Sequence, residues 1–389
     1  MIKNITKPEV LAPAGNMECL IAAIRAGADA VYLGHQNLSA RRNAENFDDE
    51  QLVQGVKICK AQDKKVYLTL NTIVKEDEIE TCYNVLVSAA KAGVTGIIVQ
   101  DLAVARIIKE FFPHFEIHGS TQMSISTPQD FLFLQNYGFS RAVVPREASI
   151  DEIMNISKQS DIELEVFVHG ALCMCFSGQC YLSSIIGSRS GNRGLCAQPC
   201  RLKFRNGENS NVLSLKDLNL INHVKDLTQS GVASLKIEGR MKRPEYVATA
   251  SQAYKMALNG EKVDENSLKA IFSRQGFTDG YFNKKIDKNM FGTRQKDESL
   301  DTVGALKQAK QIYHKQNQSV SIKGEFSVSL SAVKNGAFRC DFKVYNNNDI
   351  RLNGDLELKH NENTFSFEFF LPDYRKLGDV SYEYMLEGL

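Results

Sequence analysis

Five of the nine cysteines lie in one segment, between Cys173 and Cys200. Six residues separate Cys173 from Cys180, fifteen separate Cys180 from Cys196, and three separate Cys196 from Cys200. Four thiolates on a glycine-rich loop suit either a [4Fe–4S] cluster or structural zinc. The spacing favours the iron–sulfur cluster, because the first half does not match the short knuckles of zinc ribbons. Zinc and buried, unligated cysteines are the alternatives, and Cys175 is a spare thiol that could replace Cys173.

The composition is that of an ordinary globular protein. The 389 residues are 43% hydrophobic and 24% charged, which excludes disordered and collagen-like classes. The 47 Lys and Arg residues nearly balance the 46 Asp and Glu residues, so only a local patch could attract an anionic partner. The sequence shows no signal-peptide core or membrane span, so we expect a cytoplasmic protein without membrane contact. In that reducing compartment, clustered cysteines indicate metal or redox chemistry rather than disulfides.

Short apolar runs alternate along the chain with segments of helical spacing. These are the elements that must position the cysteines. The apolar runs are residues 10–12, 30–33, 66–70, 96–99, 116–118, 142–144, 164–168 and 234–237. This alternation predicts a parallel sheet with right-handed crossovers, and eight units predict an α/β fold of the (β/α)8 TIM-barrel type. An open, doubly wound sheet is the alternative, but no G-x-G-x-x-G follows the first run.

The sequence predicts three domains. Residues 1–260 form the barrel, with the cysteine-rich, iron–sulfur loop 169–217 inserted after strand seven. Residues 261–318 form a helical extension and linker. Residues 319–389 alternate between apolar and polar side chains, and Asn-Gly pairs at 335–336 and 353–354 predict hairpin turns of a small antiparallel β domain.

Polar residues that follow the predicted strands are candidates for the site, because (β/α)8 barrels carry their chemistry at these strand ends. The candidates for catalysis are His169, Glu147, Glu238 and Gln122. The candidates for substrate binding are Arg41, Asn71, Arg146 and Arg240. Structural roles are the alternatives: His169 could orient the loop, and the two glutamates could be salt-bridge partners of Arg146 and Arg240. The cysteine loop leaves strand seven, so a cluster held by it would lie beside these groups.

One part of the sequence resembles a known family. The segment that starts at Glu165 reads ExFxxGALCxxxxGxCxLS and resembles the signature of the collagenase-like peptidases of unknown catalytic type, number thirty-two in that class. The segments LAPAGNMECLIAAIRAGADAVYLG, HGSTQMS, SLKDLNL and SLKIEGRMKRPEYV are also similar to that family. The resemblance covers roughly residues 1–295.

The resemblance implies an oxygen-independent hydroxylase with a [4Fe–4S] cluster held by Cys173, Cys180, Cys196 and Cys200. Its implied substrate is an RNA pyrimidine, giving 5-hydroxyuridine in tRNA or 5-hydroxycytidine in 23S rRNA, and the implied hydroxyl donor is prephenate. A related pair acts on the ubiquinone ring. The segment FSRQGFTDGYF resembles the rRNA branch more than the tRNA branch. Three guanidinium groups, from Arg41, Arg146 and Arg240, would suit the two carboxylates of prephenate.

Two other functions compete with RNA hydroxylation. The family name suggests a peptidase, yet the sequence has no G-x-S-x-G elbow or metalloprotease helix, which leaves a cysteine nucleophile with His169 as its base. A zinc-stabilised RNA-binding scaffold is the third hypothesis. A local basic patch favours phosphate contact in either RNA hypothesis. Its members are Arg189, Arg193, Arg201, Lys203, Arg240, Lys242 and Arg243.

Overall fold

The computed structural model describes most of the first 313 residues and three strands of the C-terminal part. The described residues are 7–41, 44–207, 209–271, 276–292, 302–313, 328–333, 337–342 and 365–366. The chain divides into two compact units, residues 1–314 and residues 315–389.

Eight parallel strands form a closed barrel in the first unit. They are β1 (Glu9–Ala14), β2 (Ala30–Gly34), β3 (Lys65–Leu70), β4 (Gly96–Val99), β5 (Glu116–Gly119), β6 (Arg141–Val143), β7 (Glu163–Ala171) and β8 (Val232–Ile237). Each strand pairs in parallel with the next, and β8 pairs with both β7 and β1. This closure confirms the predicted (β/α)8 barrel and excludes the open sheet.

Helices follow the barrel strands in the predicted alternation. They are α1 (Met17–Arg25), α2 (Asp49–Lys60), α3 (Ile79–Ala92), α4 (Leu102–Phe111), α5 (Pro128–Tyr137), α6 (Ile150–Gln159), α7 (Leu182–Gly187), α8 (Val224–Gln229) and α9 (Pro244–Leu258). Their starts are set locally: Asp48 and Gln51 form a capping box at α2, and Ser149 and Glu152 form one at α6. Gly93 ends α3 in a left-handed conformation that glycine adopts without strain.

Two further strands and two further helices extend the first unit. The strand Asp217–Asn219 runs antiparallel to the end of β7, and Phe277–Thr278 pairs with it in parallel. The helices α10 (Glu265–Ile271) and α11 (Thr302–Tyr313) both pack against α9. In the part of the chain that the structure describes, no helix combines the length and the apolar character needed to cross a membrane.

In the second unit, the strands Val328–Val333 and Ala337–Phe342 pair in antiparallel fashion, as predicted for this part of the chain. The strand Phe365–Ser366 pairs in parallel with the second of them. Both Asn-Gly pairs lie outside the described residues. The predicted domain limits at residues 260 and 318 stay predictions.

The cysteine loop between β7 and β8 is tied to the barrel by side chains. A short pairing of Arg205–Asn206 with Asn209–Ser210 lies within it. Arg193 donates to the backbone oxygen of Ile73 at 2.6 Å and pairs with the Glu78 carboxylate. Arg201 donates to the backbone oxygen of Leu215 at 2.6 Å and to that of Leu172. Two arginines of the predicted basic patch therefore anchor the loop.

The barrel interior contains buried ion pairs beneath the strand ends. The carboxylate of Glu165, fully buried, accepts from Lys236 Nζ at 2.5 Å. Arg141 lies 3.5 Å from the other Glu165 oxygen and pairs with Glu163 at 2.7 Å. Lys236 is also buried, with its ammonium 4.5 Å from the centroid of the Tyr32 ring. Charges at this depth are stable only when they are paired.

Removing the negative charge of Glu165 tests whether the buried Lys236 ammonium depends on its partner. Glu165→Gln leaves the Lys236 ammonium buried without its counter-charge, so we expect the free energy of unfolding to fall by about 3–5 kcal/mol. Lys284→Ala is the control, because its exposed pair with Asp151 should contribute nothing measurable. Urea denaturation of both variants checks the prediction, and equal midpoints for Glu165→Gln and wild type would contradict it.

Candidate functional site

One carboxylate joins two of the predicted arginines at the barrel mouth. Glu238 directly follows β8, and its two oxygens accept from Arg41 Nη2 at 3.1 Å and from Arg146 Nη2 at 2.7 Å. Burial by itself would raise the pKa of Glu238, but Arg41 and Arg146 outweigh it and lower the pKa to about 2. Glu238 is therefore ionised at neutral pH and fixes both guanidinium groups. Glu238 is a salt-bridge partner, as one alternative expected, but it pairs with Arg41 and Arg146 rather than with Arg240.

The third arginine, Arg240, is held separately from that pair. Its Nη1 donates to Ser39 Oγ at 2.9 Å and to Thr69 Oγ1 at 2.7 Å. Burial, with a smaller contribution from the charge of Arg41, lowers the pKa of Arg240 to about 10. A Cβ at Gly34 would lie 2.4 Å from this Nη1, so a side chain at the end of β2 would displace the Arg240 guanidinium. Sequence reasoning missed this close approach.

The charges of the mouth do not cancel. Arg41, Arg146 and Arg240 carry three positive charges, and Glu238 supplies one negative charge to this group. The guanidinium carbon of Arg146 lies 3.8 Å from the centroid of the Phe167 ring, which fixes its plane. The partly desolvated surplus of positive charge is suited to an anionic ligand, because guanidinium forks bind carboxylates at two points.

Asn71 and Gln122 lie at the strand ends where the sequence placed them. Asn71 accepts from the backbone nitrogen of Ala40 at 3.3 Å and donates to Ser120 Oγ at 3.4 Å, so it joins the second and fifth strand ends. The backbone oxygen of Gln122 accepts from Gln100 Nε2 at 3.2 Å. A Cβ at Gly178 would lie 2.7 Å from that same oxygen, so the cysteine loop approaches Gln122 closely.

Glu147 holds the cysteine loop. One of its carboxylate oxygens accepts from the backbone nitrogen of Ser177 at 2.9 Å, and the other accepts from Ser177 Oγ at 2.8 Å. Ser177 lies between the first two predicted cluster ligands, so this double contact fixes the backbone that carries them. The geometry makes Glu147 a positioning residue, and Arg146 pairs with Glu238 instead of with Glu147.

His169 packs away from the arginines. Its ring contacts the rings of Tyr246 and Tyr254 on α9 at 5.8 Å between centroids, and that of Phe277 at 5.3 Å. A register shift between β7 and β8 lies at this point, which places His169 between the barrel wall and the outer helix. Burial lowers its pKa to about 4, with Asn219 opposing, so the ring is neutral at pH 7. This position favours the structural role of His169.

The predicted cluster ligands are free thiols that interact with one another. Cys173 and Cys196 are exposed, whereas Cys180 and Cys200 are partly buried. Burial raises the pKa of Cys200, and negative charge on Cys173, Cys196 and Cys180 raises it further. Among the described residues, no three Cys, His, Asp or Glu side chains are arranged to hold a single ion. The four thiols still form a donor set of the kind that binds iron–sulfur clusters.

The cysteine loop lies beside the mouth. Glu238 chiefly, and Cys173 to a smaller extent, raise the pKa of Arg41. Burial raises the pKa of Tyr281, and Glu147 and Cys173 add to this effect. These two influences indicate that Cys173 lies within electrostatic range of both side chains. Sequence reasoning missed Tyr281 as a site residue, although it stands in the Gly- and Phe-rich turn of residues 276–282.

The chain is similar in sequence to one protein family and to several known proteins. Residues 15–292 match the model of Peptidase family U32. The chain is 36% identical to "tRNA hydroxylation protein P1" of Bacillus subtilis (strain 168), over 77% of this chain and 77% of that protein. It is 37% identical to "Collagenase" of Porphyromonas gingivalis (strain ATCC BAA-308 / W83), over 72% of this chain and 74% of that protein. It is 35% identical to "23S rRNA 5-hydroxycytidine C2501 synthase" of Escherichia coli (strain K12), over 72% of this chain and 43% of that protein.

Proposed function

The chain belongs to Peptidase family U32, and we propose that it is an enzyme that hydroxylates a pyrimidine of RNA. The family match confirms the resemblance drawn from the signature around Cys173. The observation that carries the proposal is the similarity to two relatives whose names state this chemistry, one on tRNA and one on 23S rRNA. The cationic mouth supplies a site for an anionic co-substrate.

The proposed substrate is tRNA first and 23S rRNA second. The tRNA relative is matched over 77% of its length, whereas the rRNA relative is matched over 43%. The expected products are 5-hydroxyuridine in tRNA and 5-hydroxycytidine in 23S rRNA. The length comparison favours tRNA and so reverses the order suggested by the segment FSRQGFTDGYF, which resembles the rRNA branch.

We further propose that Cys173, Cys180, Cys196 and Cys200 hold a [4Fe–4S] cluster, with zinc as the alternative metal. The donor set and the mutual influence of the four thiols support this proposal. When bound, the cluster would supply redox-active iron that can take part in an oxygen-independent oxidation. The chain's own residues do the positioning: Glu147 and Ser177 hold the ligand loop, and Gly178 lets that loop lie against Gln122.

Prephenate is the proposed hydroxyl donor. Its two carboxylates match the surplus of positive charge formed by Arg41, Arg146 and Arg240. Glu238 orients two of these guanidinium groups before the ligand arrives, which reduces the ordering cost of binding. Burial of the mouth strengthens the attraction between the guanidinium groups and a carboxylate.

A peptidase is the second candidate, because one relative is named "Collagenase". Its chemistry would need a cysteine nucleophile next to a histidine base. His169 packs against Tyr246, Tyr254 and Phe277, which is a poor position for activating an exposed thiol. The geometry therefore favours the hydroxylase.

Deleting the gene tests the reaction. A cell without this protein should lose a 5-hydroxypyrimidine, and mass spectrometry of nucleosides from separated tRNA and 23S rRNA should show which RNA loses it. Wild-type protein should restore the modification, whereas Cys196→Ser should not. An unchanged nucleoside profile in a strain without a second family member would refute the hydroxylase proposal.

Serine substitutions test the cluster ligands. Ser at position 173, 180, 196 or 200 replaces a thiolate with a poor iron ligand, so iron and sulfide content should fall sharply in protein purified without oxygen. Cys175→Ser, in the same loop, is the matched control and should keep its iron. Full iron retention in Cys196→Ser would show that the ligand set is wrong, and a colourless protein rich in zinc would favour the scaffold hypothesis.

Arginine-to-lysine substitutions test the donor site. Lysine keeps the charge but loses the two-point fork, so Arg41→Lys, Arg146→Lys and Arg240→Lys should each weaken prephenate binding by roughly 1.5–3 kcal/mol per charge-assisted bond lost. Isothermal titration measures the change, and Arg106→Lys on the exposed face of α4 is the control. Wild-type affinity in all three variants would exclude these arginines as the carboxylate site.

A further inference from the structure

The cysteine loop has a charge unlike that of the rest of the chain. Residues 171–207 contain five Arg or Lys residues and no Asp or Glu, whereas the whole chain has a net charge of +1. Arg193 and Arg201 are occupied in anchoring the loop, but Lys203 and Arg205 are exposed. A polyanion that approaches the mouth would therefore meet the positive charge of this loop.

Two aromatic rings stand exposed on the same loop. Phe176 is 47% exposed and Tyr181 is 54% exposed, and they flank the segment that ends at Cys180. Within the described residues, neither ring takes part in an aromatic pair, a cation–π contact or a side-chain hydrogen bond. Burying such rings is normally favourable, and their position next to the proposed cluster leaves both rings available to a ligand at the mouth.

The backbone beneath these rings is held firmly. Ser177, directly after Phe176, is fixed by both carboxylate oxygens of Glu147 and by Ser124 Oγ, which donates to its backbone oxygen at 2.8 Å. Ser183, close to Tyr181, accepts from the backbone nitrogen of Ala197 at 3.0 Å. Rings on a fixed backbone lose little conformational entropy when a ligand stacks on them.

We propose that Phe176 and Tyr181 are stacking platforms for the RNA bases that flank the modified nucleotide. This inference rests on the proposed function. An enzyme that acts on a base must remove it from the stack, and the neighbouring bases then need new stacking partners. Aromatic rings beside a positively charged path are how proteins bind single-stranded nucleic acid. The cysteine loop therefore both carries the proposed cluster and binds the RNA strand next to it.

The charge of the loop favours RNA over a protein as the ligand of this surface. Ile185 and Ile186 on α7 are also exposed, at 80% and 62%, and aliphatic side chains of this kind occur in protein interfaces as well. However, residues 171–207 of the loop carry five basic residues and no acidic one, and this charge complements a phosphate backbone. A protein partner is accordingly an outcome that the experiment must be able to detect.

The test uses the holoenzyme and an RNA hairpin whose single-stranded loop carries one uridine beside 2-aminopurine. Phe176→Leu and Tyr181→Leu keep an apolar side chain but remove the ring. Each should weaken binding, measured by fluorescence anisotropy, by about tenfold, and each should reduce the quenching of 2-aminopurine that stacking produces. Phe176→Tyr and Tyr181→Phe should restore both signals. Phe133→Leu, at a 53% exposed ring on α5, is the matched control and should behave as wild type.

The outcomes separate this inference from the proposed function. If wild type does not bind the hairpin or any tRNA, the proposed function fails, and the inference fails with it. If wild type binds but 2-aminopurine is not quenched, or if both Leu variants bind and quench as wild type does, the stacking inference alone is wrong. A Leu variant that keeps RNA binding but loses self-association in sedimentation would assign the surface to a protein partner and would also overturn the inference.

Discussion

The Glu238 carboxylate is the interaction on which the barrel mouth depends. Three guanidinium groups in one partly buried space repel each other, and a low-dielectric setting strengthens that repulsion. Glu238 joins Arg41 and Arg146 at 3.1 and 2.7 Å, which offsets their charge and fixes their planes. Arg240 is separated from them by its own hydroxyl partners, Ser39 and Thr69. The result is an ordered group of cations that still carries excess positive charge, as a site for an anion requires.

The cysteine loop depends on that barrel for its shape. Its contacts are polar and specific: Glu147 binds Ser177, Arg193 binds Glu78, and Arg201 binds backbone oxygens near both ends of the loop. Several large apolar side chains of the loop, such as Phe176, Ile185 and Leu202, are exposed, so charge-assisted hydrogen bonds rather than a hydrophobic core hold the loop in place. The proposed cluster ligands are therefore presented beside Arg41 and Tyr281 by the protein itself.

The alternation of apolar runs and helical segments predicted the barrel correctly, because a parallel sheet buries both faces of each strand and so leaves continuous apolar runs in the sequence. All parallel strands of a barrel end on one face, and the sequence places five polar residues directly after predicted strands. They are Asn71, Arg146, Glu147, Glu238 and Arg240. The roles within that set could not be predicted. His169 also follows the rule in sequence, yet a single register shift turns it towards α9 and the rings of Tyr246 and Tyr254.

Local sequence patterns were enough to predict the fold class, the family, the clustering of cysteines in one loop and the face of the barrel where the polar residues collect. These follow from local patterns: strand periodicity, turn residues and the spacing of thiols along one loop. The pairing of Glu238 with Arg41, 197 positions away, is visible only in the folded chain, and so is the contact of Glu147 with the cysteine loop rather than with Arg146. The fold also places the Arg240 guanidinium against Gly34. The reason is that an ion pair or a close contact depends on where two distant segments meet, and no local pattern of residues encodes that distance.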